Sequence, residues 1–108
     1  MKLITKELEK RFAEIGDQSQ VSDPIIGAKF FNPCGSATWY ATEYDAENQI
    51  CFGYVTGLAF DEWGTFSIPE LESIKLPFGL SIERDLYFKE KRCNELIKEH
   101  EQDNNLKH

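Results

Sequence analysis

Three consecutive charged residues, Glu83, Arg84 and Asp85, stand between apolar segments in the stretch PFGLSIERDLYFKEK. A guanidinium at such a place can bind a carboxylate or a phosphate through two parallel hydrogen bonds. The same charges can instead form a structural ion pair that anchors the segment to the rest of the fold. We favour the structural interpretation, and we expect Glu43 to be the partner of Arg84.

The choice of Glu43 rests on the alternation of side chains in the strand-like segment TWYATEYD. In a regular strand Glu43 shares a face with Trp39 and Ala41, where it is the odd polar residue. Glu70 and Glu72 are alternative partners. A deep polar pocket near Glu43 and the arginine would instead indicate a small-ligand-binding protein or an enzyme, and this interpretation stays open as the alternative.

The other patterns that could carry catalysis or metal binding are weak. Cys93 and His100 lie on one face of a predicted helix, but an ordinary packed face has the same spacing. The acids between residues 61 and 72 offer oxygen ligands, yet they lack the spacing of a calcium-binding loop. We therefore predict no catalytic residue, no metal and no cofactor, and we expect that the protein is not an enzyme.

Trp63 is a candidate for a binding surface. The sequence DEWG predicts a turn, and a tryptophan in a turn is hard to bury and is enriched at protein interfaces. Together with Trp39, Tyr40, Tyr44 and Phe66, it would provide rings on which nucleic-acid bases can stack. Such platforms normally accompany a basic groove, and this part of the chain has almost no basic residues. We assign these rings to the core and to a protein interface.

Composition indicates one folded domain over residues 1–108, with about 102–108 as a frayed tail. The chain is 41% hydrophobic and 13% aromatic, which is enough for a packed core. Its net charge of −7 disfavours direct binding to nucleic acid or to an anionic membrane. The expected partner is therefore an unidentified protein with a basic surface, and a homodimer is a further possibility.

Cysteine usage and hydropathy predict a cytoplasmic protein. Cys34, Cys51 and Cys93 are odd in number and form no C-x-x-C pair, which argues against a disulfide framework and against a zinc ribbon. No apolar run approaches the roughly 20 residues that a membrane-spanning helix needs. The amino end becomes charged too early for a signal peptide.

Helix signals occur at three places. Leu8, Phe12 and Ile15 form one apolar stripe between a candidate N-cap, Thr5, and a stop signal, Gly16. The sequence SIPE matches a capping box and predicts a short helix that begins at residue 67 and ends near 74. Residues 90–101 predict a carboxy-terminal helix.

Strand signals fill the region between these helices. β-Branched and aromatic runs separated by turn clusters mark strands at 25–31, 38–45 and 50–57, and TFSI and DLYF are further candidates. The prediction is an α+β fold: an antiparallel β-meander of four or five strands with amino-terminal, short middle and carboxy-terminal helices. Because the strand at 38–45 is apolar on both faces, we expect helices or loops to cover part of both, or an exposed aromatic face to contact a partner.

The order of the blocks KFFNP, TWYATEYD, CFGYVTGL, WGTFSIPELESI and PFGLSIERDLYF resembles the domain-of-unknown-function 2958 family over about residues 1–90. One departure is Ser81, which stands where family members often have proline. The resemblance implies a small bacterial protein of plasmids, phages and other mobile elements, and it supplies no catalytic residue. Our functional hypothesis is a non-catalytic accessory protein of such an element, which acts by protein–protein contact through an acidic surface.

Overall fold

The structure, a computed structural model, describes residues 1–106 and the side chains of residues 1–102. Helix α1 spans Lys6–Ile15, and both of its predicted ends are confirmed. The Thr5 hydroxyl oxygen accepts a hydrogen bond of 3.1 Å from the Leu8 amide, as an N-cap should. Gly16 ends the helix with a positive φ of 70°, a conformation that is easy only for glycine.

Within residues 1–106, seven strands, two further α-helices and a short 3-10 helix at Pro77–Gly79 follow α1. The strands and α-helices are β1 (Ile25–Ile26), β2 (Ala28–Phe31), β3 (Thr38–Asp45), β4 (Ile50–Thr56), β5 (Glu62–Ser67), α2 (Ile68–Ser73), β6 (Glu83–Arg84), β7 (Lys91–Arg92) and α3 (Cys93–Leu106). Five strands form an antiparallel sheet in the order β5-β4-β3-β2-β6, and β1 pairs with β7 in a small second sheet. Strands β2 to β5 are the predicted meander, so the α+β prediction is confirmed.

One face of the five-stranded sheet packs on α1 and α2 and forms the core. Its buried members are Leu3, Ile4, Phe12, Ala28, Phe30, Ala37, Trp39, Ala41, Cys51, Ile68, Leu71 and Ile82. Strands β2, β3 and β4 contribute every second residue, because side chains on a pleated strand alternate between the two faces. We call this side the first face.

A β-bulge interrupts the alternation of β3. Ala41 pairs with Gly53, but Glu43 rather than Thr42 pairs with Phe52, so one extra residue is inserted at Thr42. As a result Tyr44 packs with the core residues, whereas Glu43 lies with Phe52 on the opposite side, the second face. Our expectation that Glu43 shares a face with Trp39 and Ala41 is therefore wrong, because a regular alternation does not survive a bulge.

The second face is also apolar, and α3 covers part of it. Tyr40, Tyr54 and Trp63 are aligned across β3, β4 and β5 by the strand register. The Tyr40 ring lies 6.4 Å from the ring of His100 in α3 and 6.4 Å from that of Phe88. Both faces are thus partly covered, as the sequence indicated, and the uncovered part of the second face is aromatic.

Two segments differ from their predicted structure. DLYF is not a strand: only Glu83–Arg84 pair with β2, and the next residues turn because the Asp85 carboxylate accepts the Tyr87 amide at 2.9 Å. Trp63 lies within β5 and not in a turn.

The carboxy-terminal helix differs in both of its predicted ends. Helix α3 begins at Cys93 and continues to Leu106, past the predicted end at residue 101 and into the segment predicted to be frayed. Residues 107–108 of that segment lie outside the described residues.

Candidate interaction surface

Arg84 holds the amino-terminal segment of the chain. One of its guanidinium nitrogens, Nη1, donates to the Leu3 carbonyl at 2.8 Å and to the Lys2 carbonyl at 3.1 Å. The Leu3 amide donates to a carboxylate oxygen of Glu72 at 2.9 Å. The predicted ion pair between Arg84 and Glu43 is therefore wrong, because the guanidinium satisfies backbone oxygens of a buried segment instead of a carboxylate.

The neighbouring charges also have structural contacts. Glu83 pairs with Phe31 as part of β6. The Asp85 carboxylate lies 3.5 Å from the Lys29 ammonium, and the Asp85 amide donates to the Lys29 carbonyl at 2.9 Å. Together, the charged triplet secures one edge of the sheet to the amino-terminal segment.

Glu43 and Arg84 border different clefts. Arg84 and Asp85 line an open groove of about 670 Å³ beside the first turn of α1. Glu43 borders a separate cleft of about 550 Å³ at the turn between β3 and β4. The geometry thus brings together Arg84 with Asp85, but not either of them with Glu43.

Trp63 is the centre of an exposed aromatic patch. Its ring stacks on Phe52 at a centroid distance of 5.9 Å and contacts Tyr54 at 5.3 Å. Trp63 is 45% exposed even though it lies in a strand. We define Phe52, Tyr54 and Trp63 as the aromatic patch. The sequence contained a signal for two of these rings, because Phe52 and Tyr54 alternate in CFGYVTG and so share a strand face.

A cleft of about 250 Å³ separates α3 from the second face of the sheet. Tyr40, Tyr54 and Trp63 line it on the sheet side, and the α3 side chains that line it are Cys93, Leu96, Ile97 and His100. The predicted common face of Cys93 and His100 is confirmed. Burial, followed by the charge of Asp23, raises the pKa of Cys93, which is the opposite of what an activated nucleophile needs.

The other two thiols differ in their exposure. Cys51 is fully buried, and burial raises its pKa to about 12, whereas Cys34 is exposed. Within the described part of the chain, no group of three or more His, Cys, Asp or Glu side chains is arranged to hold a metal ion. None of the helices described has the length and apolar character needed to cross a membrane.

The charge of the protein is concentrated in one half of the fold. Residues 30–74 contain seven acids and no lysine, arginine or histidine, so this span carries a net charge of −7. The rest of the chain contains 12 acids and 12 Lys or Arg residues. Because residues 30–74 form β3, β4, β5 and α2, the net charge lies toward the β5 side of the sheet. We call residues 30–74 the acidic half.

Gln18 is a buried polar residue, and its burial could not be predicted from the sequence, because it lies in the polar loop GDQSQVSDP. Its side-chain amide donates to the carbonyls of Ile25 at 2.8 Å and Thr42 at 2.7 Å, and its oxygen accepts the Ile25 amide at 2.7 Å. These bonds secure β1 and the bulge of β3 to the loop after α1.

Comparison with known proteins gives one result. A sequence model of the family described as "Protein of unknown function (DUF2958)" matches residues 3–103. No curated protein and no solved structure matches the chain. The matched region covers the whole sheet and extends into α3, beyond the range of about 1–90 inferred from the sequence blocks. The chain therefore belongs to the DUF2958 family.

Proposed function

We propose that this protein is a non-catalytic accessory protein of a mobile genetic element, which binds a basic partner protein through its acidic half. The observation that carries the proposal is the distribution of charge: seven acids and no bases over residues 30–74, against a balanced remainder. Such a field attracts a basic protein surface and speeds its encounter with the acidic half.

The aromatic patch supplies the apolar contacts that charge alone does not. Trp63 and Phe52 are exposed large side chains, and they lie inside the acidic half. Aromatic residues at the centre of an interface commonly carry a large part of the binding free energy, while charges at its rim set the association rate and specificity. The patch and the acids together thus describe a surface that recognises a protein rather than a phosphate backbone, which the acids repel.

Charge reversal tests this proposal. The bait with Glu47→Lys and Glu62→Lys alters two exposed acids of the acidic half, and the matched control with Glu14→Lys and Glu101→Lys alters two exposed acids of the balanced remainder. Both baits and the wild-type protein are used to capture proteins from a bacterial lysate at low and at high salt. We expect the wild type and the control to retain a basic protein at low salt only, and the first variant to lose it. Salt-insensitive capture, or equal capture by both variants, contradicts the proposal.

The mobile-element setting rests on the family resemblance. The genes that flank those of family members test it, because accessory proteins are commonly encoded beside the proteins they bind. Genes for plasmid or phage maintenance and transfer should recur among the neighbours. A setting among ordinary metabolic genes would contradict this part of the proposal without affecting the binding surface.

A second candidate function is suggested by the cleft between α3 and the sheet. Its apolar lining and its volume of about 250 Å³ suit a small planar aromatic molecule that stacks on Tyr54 or Trp63. Saturation-transfer NMR with indole as the probe measures such binding directly. Leu96→Trp, which fills the cleft, should remove the signal, and Phe60→Ala, outside the cleft, should not. Equal signals from both variants would exclude this site.

A further inference from the structure

The two edges of the five-stranded sheet differ in how they are protected. The edge strand β6 has two residues, and its Arg84 amide contacts the Met1 sulfur at 3.2 Å, so the amino-terminal segment covers it. The opposite edge strand, β5, has six residues, no proline and no lysine, and no strand formed by residues 1–106 lies beyond it. Edge strands without such protection are templates for pairing with another chain.

The hydrogen-bond pattern of β5 shows which backbone groups are available. The Ile68 amide donates to the Gln49 carbonyl at 3.0 Å, directly beyond the paired residues Ser67 and Ile50. Because hydrogen-bonded and non-hydrogen-bonded pairs alternate in an antiparallel ladder, residues 62, 64 and 66 bond to β4. The amides of residues 63, 65 and 67 and the carbonyls of residues 63 and 65 therefore point away from β4, toward the open edge. The Ser67 carbonyl is not available, because Ser67 is the N-cap of α2 and its carbonyl accepts the first hydrogen bond of that helix.

Both sides of this edge also offer places for side chains. On the first face, Leu58, Phe60 and Glu62 border a cleft of about 340 Å³ next to β5. On the second face lies the aromatic patch. At the middle of the strand, a Cβ on Gly64 would meet nothing within 4 Å, so the first face is open there for the side chains of an added strand. An added strand would place alternate side chains in the cleft and on the patch.

We propose that an extended basic segment of the partner protein adds to β5 as a sixth strand of the sheet. This inference rests on the proposed function and specifies its mode of binding. Main-chain hydrogen bonds to residues 63, 65 and 67 would supply affinity, and the acids would select lysine and arginine side chains. Of the acids in residues 30–74, Asp61 and Glu62 adjoin this edge directly, and no base in the same span offsets them.

Charge also decides against a second copy of this chain as the occupant. Pairing of two β5 strands would bring Asp61 and Glu62 of both copies to one edge, together with two acidic halves. The like charges of the two acidic halves oppose the pairing. A basic segment would instead be attracted by the acids at this edge.

Binding of a synthetic strand tests the inference. The probe is the peptide Ac-KVKYKVKV-NH2, whose valine and tyrosine side chains share one face and can lie on the aromatic patch. We expect salt-sensitive binding and slower amide hydrogen exchange at residues 63, 65 and 67, by about tenfold or more. The peptide Ac-EVEYEVEV-NH2 keeps the apolar face with the opposite charge and should not bind.

Two variants separate strand addition from charge attraction alone. Thr65→Pro removes an outward amide, whereas Thr65→Val keeps it and changes only the side chain; the first should weaken binding about tenfold and the second little. A fully N-methylated basic peptide leaves the protein unchanged and removes every peptide donor, so it should also lose binding, whatever the folding of the proline variant.

The outcomes distinguish this inference from the proposed function. If peptide binding is salt-sensitive but is unchanged by Thr65→Pro and by N-methylation of the peptide, strand addition is wrong. The proposal of a basic partner protein is then unaffected. Absence of peptide binding at low salt overturns strand addition, while the lysate capture decides the proposed function independently. If sedimentation experiments show that the wild-type protein is a dimer and that Thr65→Pro is a monomer, the inference is wrong. The strand that adds to β5 is then that of a second copy of this chain.

Discussion

At the scale of single residues, the charged side chains near the amino-terminal segment are used to hold backbone. Leu3 is fully buried, with its carbonyl bound by Arg84 and its amide bound by Glu72. A buried backbone group without a partner costs free energy, so these two side chains of opposite charge stabilise the burial of Leu3 in the core. The charged triplet is thus explained by folding, and the acidic half is the region that we propose binds a partner.

We predict that Arg84→Met lowers the free energy of unfolding by about 1–3 kcal/mol, because the Lys2 and Leu3 carbonyls lose their donor. Urea unfolding followed by circular dichroism measures the change. Lys75→Met at an exposed position is the matched control and should have little effect. If the guanidinium were paired with Glu43, Glu43→Gln would be as costly as Arg84→Met; we expect it to be nearly neutral.

We predict that the stability of the protein falls with alkaline pH in part because of Cys51. Burial raises the pKa of this thiol from 9.0 to about 12, so above pH 9 the folded chain binds a proton that the unfolded chain has lost. The free energy of unfolding is therefore unaffected by Cys51 below pH 9 and falls by about 1.4 kcal/mol per pH unit from there toward 12.

Urea titrations at several pH values between neutral and strongly alkaline test this dependence. Cys51→Ala should lose stability at all pH values, through its cavity, but should show a shallower alkaline slope than the wild type. Cys34→Ala, at an exposed position, should keep the wild-type slope. Equal slopes in the wild type and Cys51→Ala would show that the thiol does not titrate in this way.

The residues that local rules govern were predictable, and those that tertiary contacts govern were not. Thr5 and Ser67 cap their helices with hydrogen bonds three residues along the chain, so a short window of sequence contains the whole interaction. Arg84 bonds to residues 81 and 82 positions away, and nothing in its neighbourhood indicates them. Gln18 likewise bonds to the bulge of β3, 24 positions away.

At the scale of elements, the bulge at Thr42 determines which face each side chain of β3 occupies. It moves Glu43 to the second face and Tyr44 to the core side. The Thr42 carbonyl accepts a hydrogen bond from Gln18, and the Thr42 hydroxyl donates to the Phe52 carbonyl at 3.1 Å. Strand patterns predict the existence of β3 correctly but not the bulge, because an inserted residue has no periodic signal.

We predict that Gly53→Ala lowers the free energy of unfolding by about 1–3 kcal/mol, because its Cβ would overlap the Tyr40 carbonyl oxygen and force β3 and β4 apart. Gly64→Ala is the matched control: Gly64 pairs directly with Gly53 in the sheet, but a Cβ there meets nothing within 4 Å. Thermal or urea unfolding of both variants checks the difference. Equal losses would show that the close approach of β3 to Gly53 is not a constraint.

The segment after Gly79 shows why the composition of a segment does not determine how many of its residues pair in a sheet. LYF has the aromatic and apolar content of a strand, yet Leu86 and Tyr87 are exposed in a turn. Such a segment forms a β-strand only where it pairs with a neighbouring strand. Strand β2 pairs with Glu83 and Arg84 and with no later residue of this segment. The composition of a segment reports its preference, whereas the available edge of the sheet decides its length.

At the scale of the whole molecule, neutral and acidic parts of the chain are separated. The balanced remainder contains ion pairs such as Arg11 with Glu90 and Lys91 with Glu99. The acidic half has no base with which to pair, so its carboxylates repel one another in the folded state. The electrostatic free energy of this surface is unfavourable in the isolated protein and would become favourable when a basic partner binds. The proposed function requires such a surface.

We predict that this repulsion makes the protein more stable as salt increases. The double variant Glu47→Gln and Glu62→Gln should raise the free energy of unfolding by about 0.5–1 kcal/mol at low ionic strength, because it removes two like charges, and the gain should shrink when salt screens the rest. Glu14→Gln with Glu101→Gln, in the balanced remainder, is the matched control and should give no gain. Thermal unfolding at about 20 mM and about 500 mM NaCl, where the Debye length falls several-fold, provides the measurement. A loss of stability in the first variant at both salt concentrations would mean that the carboxylates of the acidic half are balanced within the fold, and the attraction of a basic partner would then lack its physical basis.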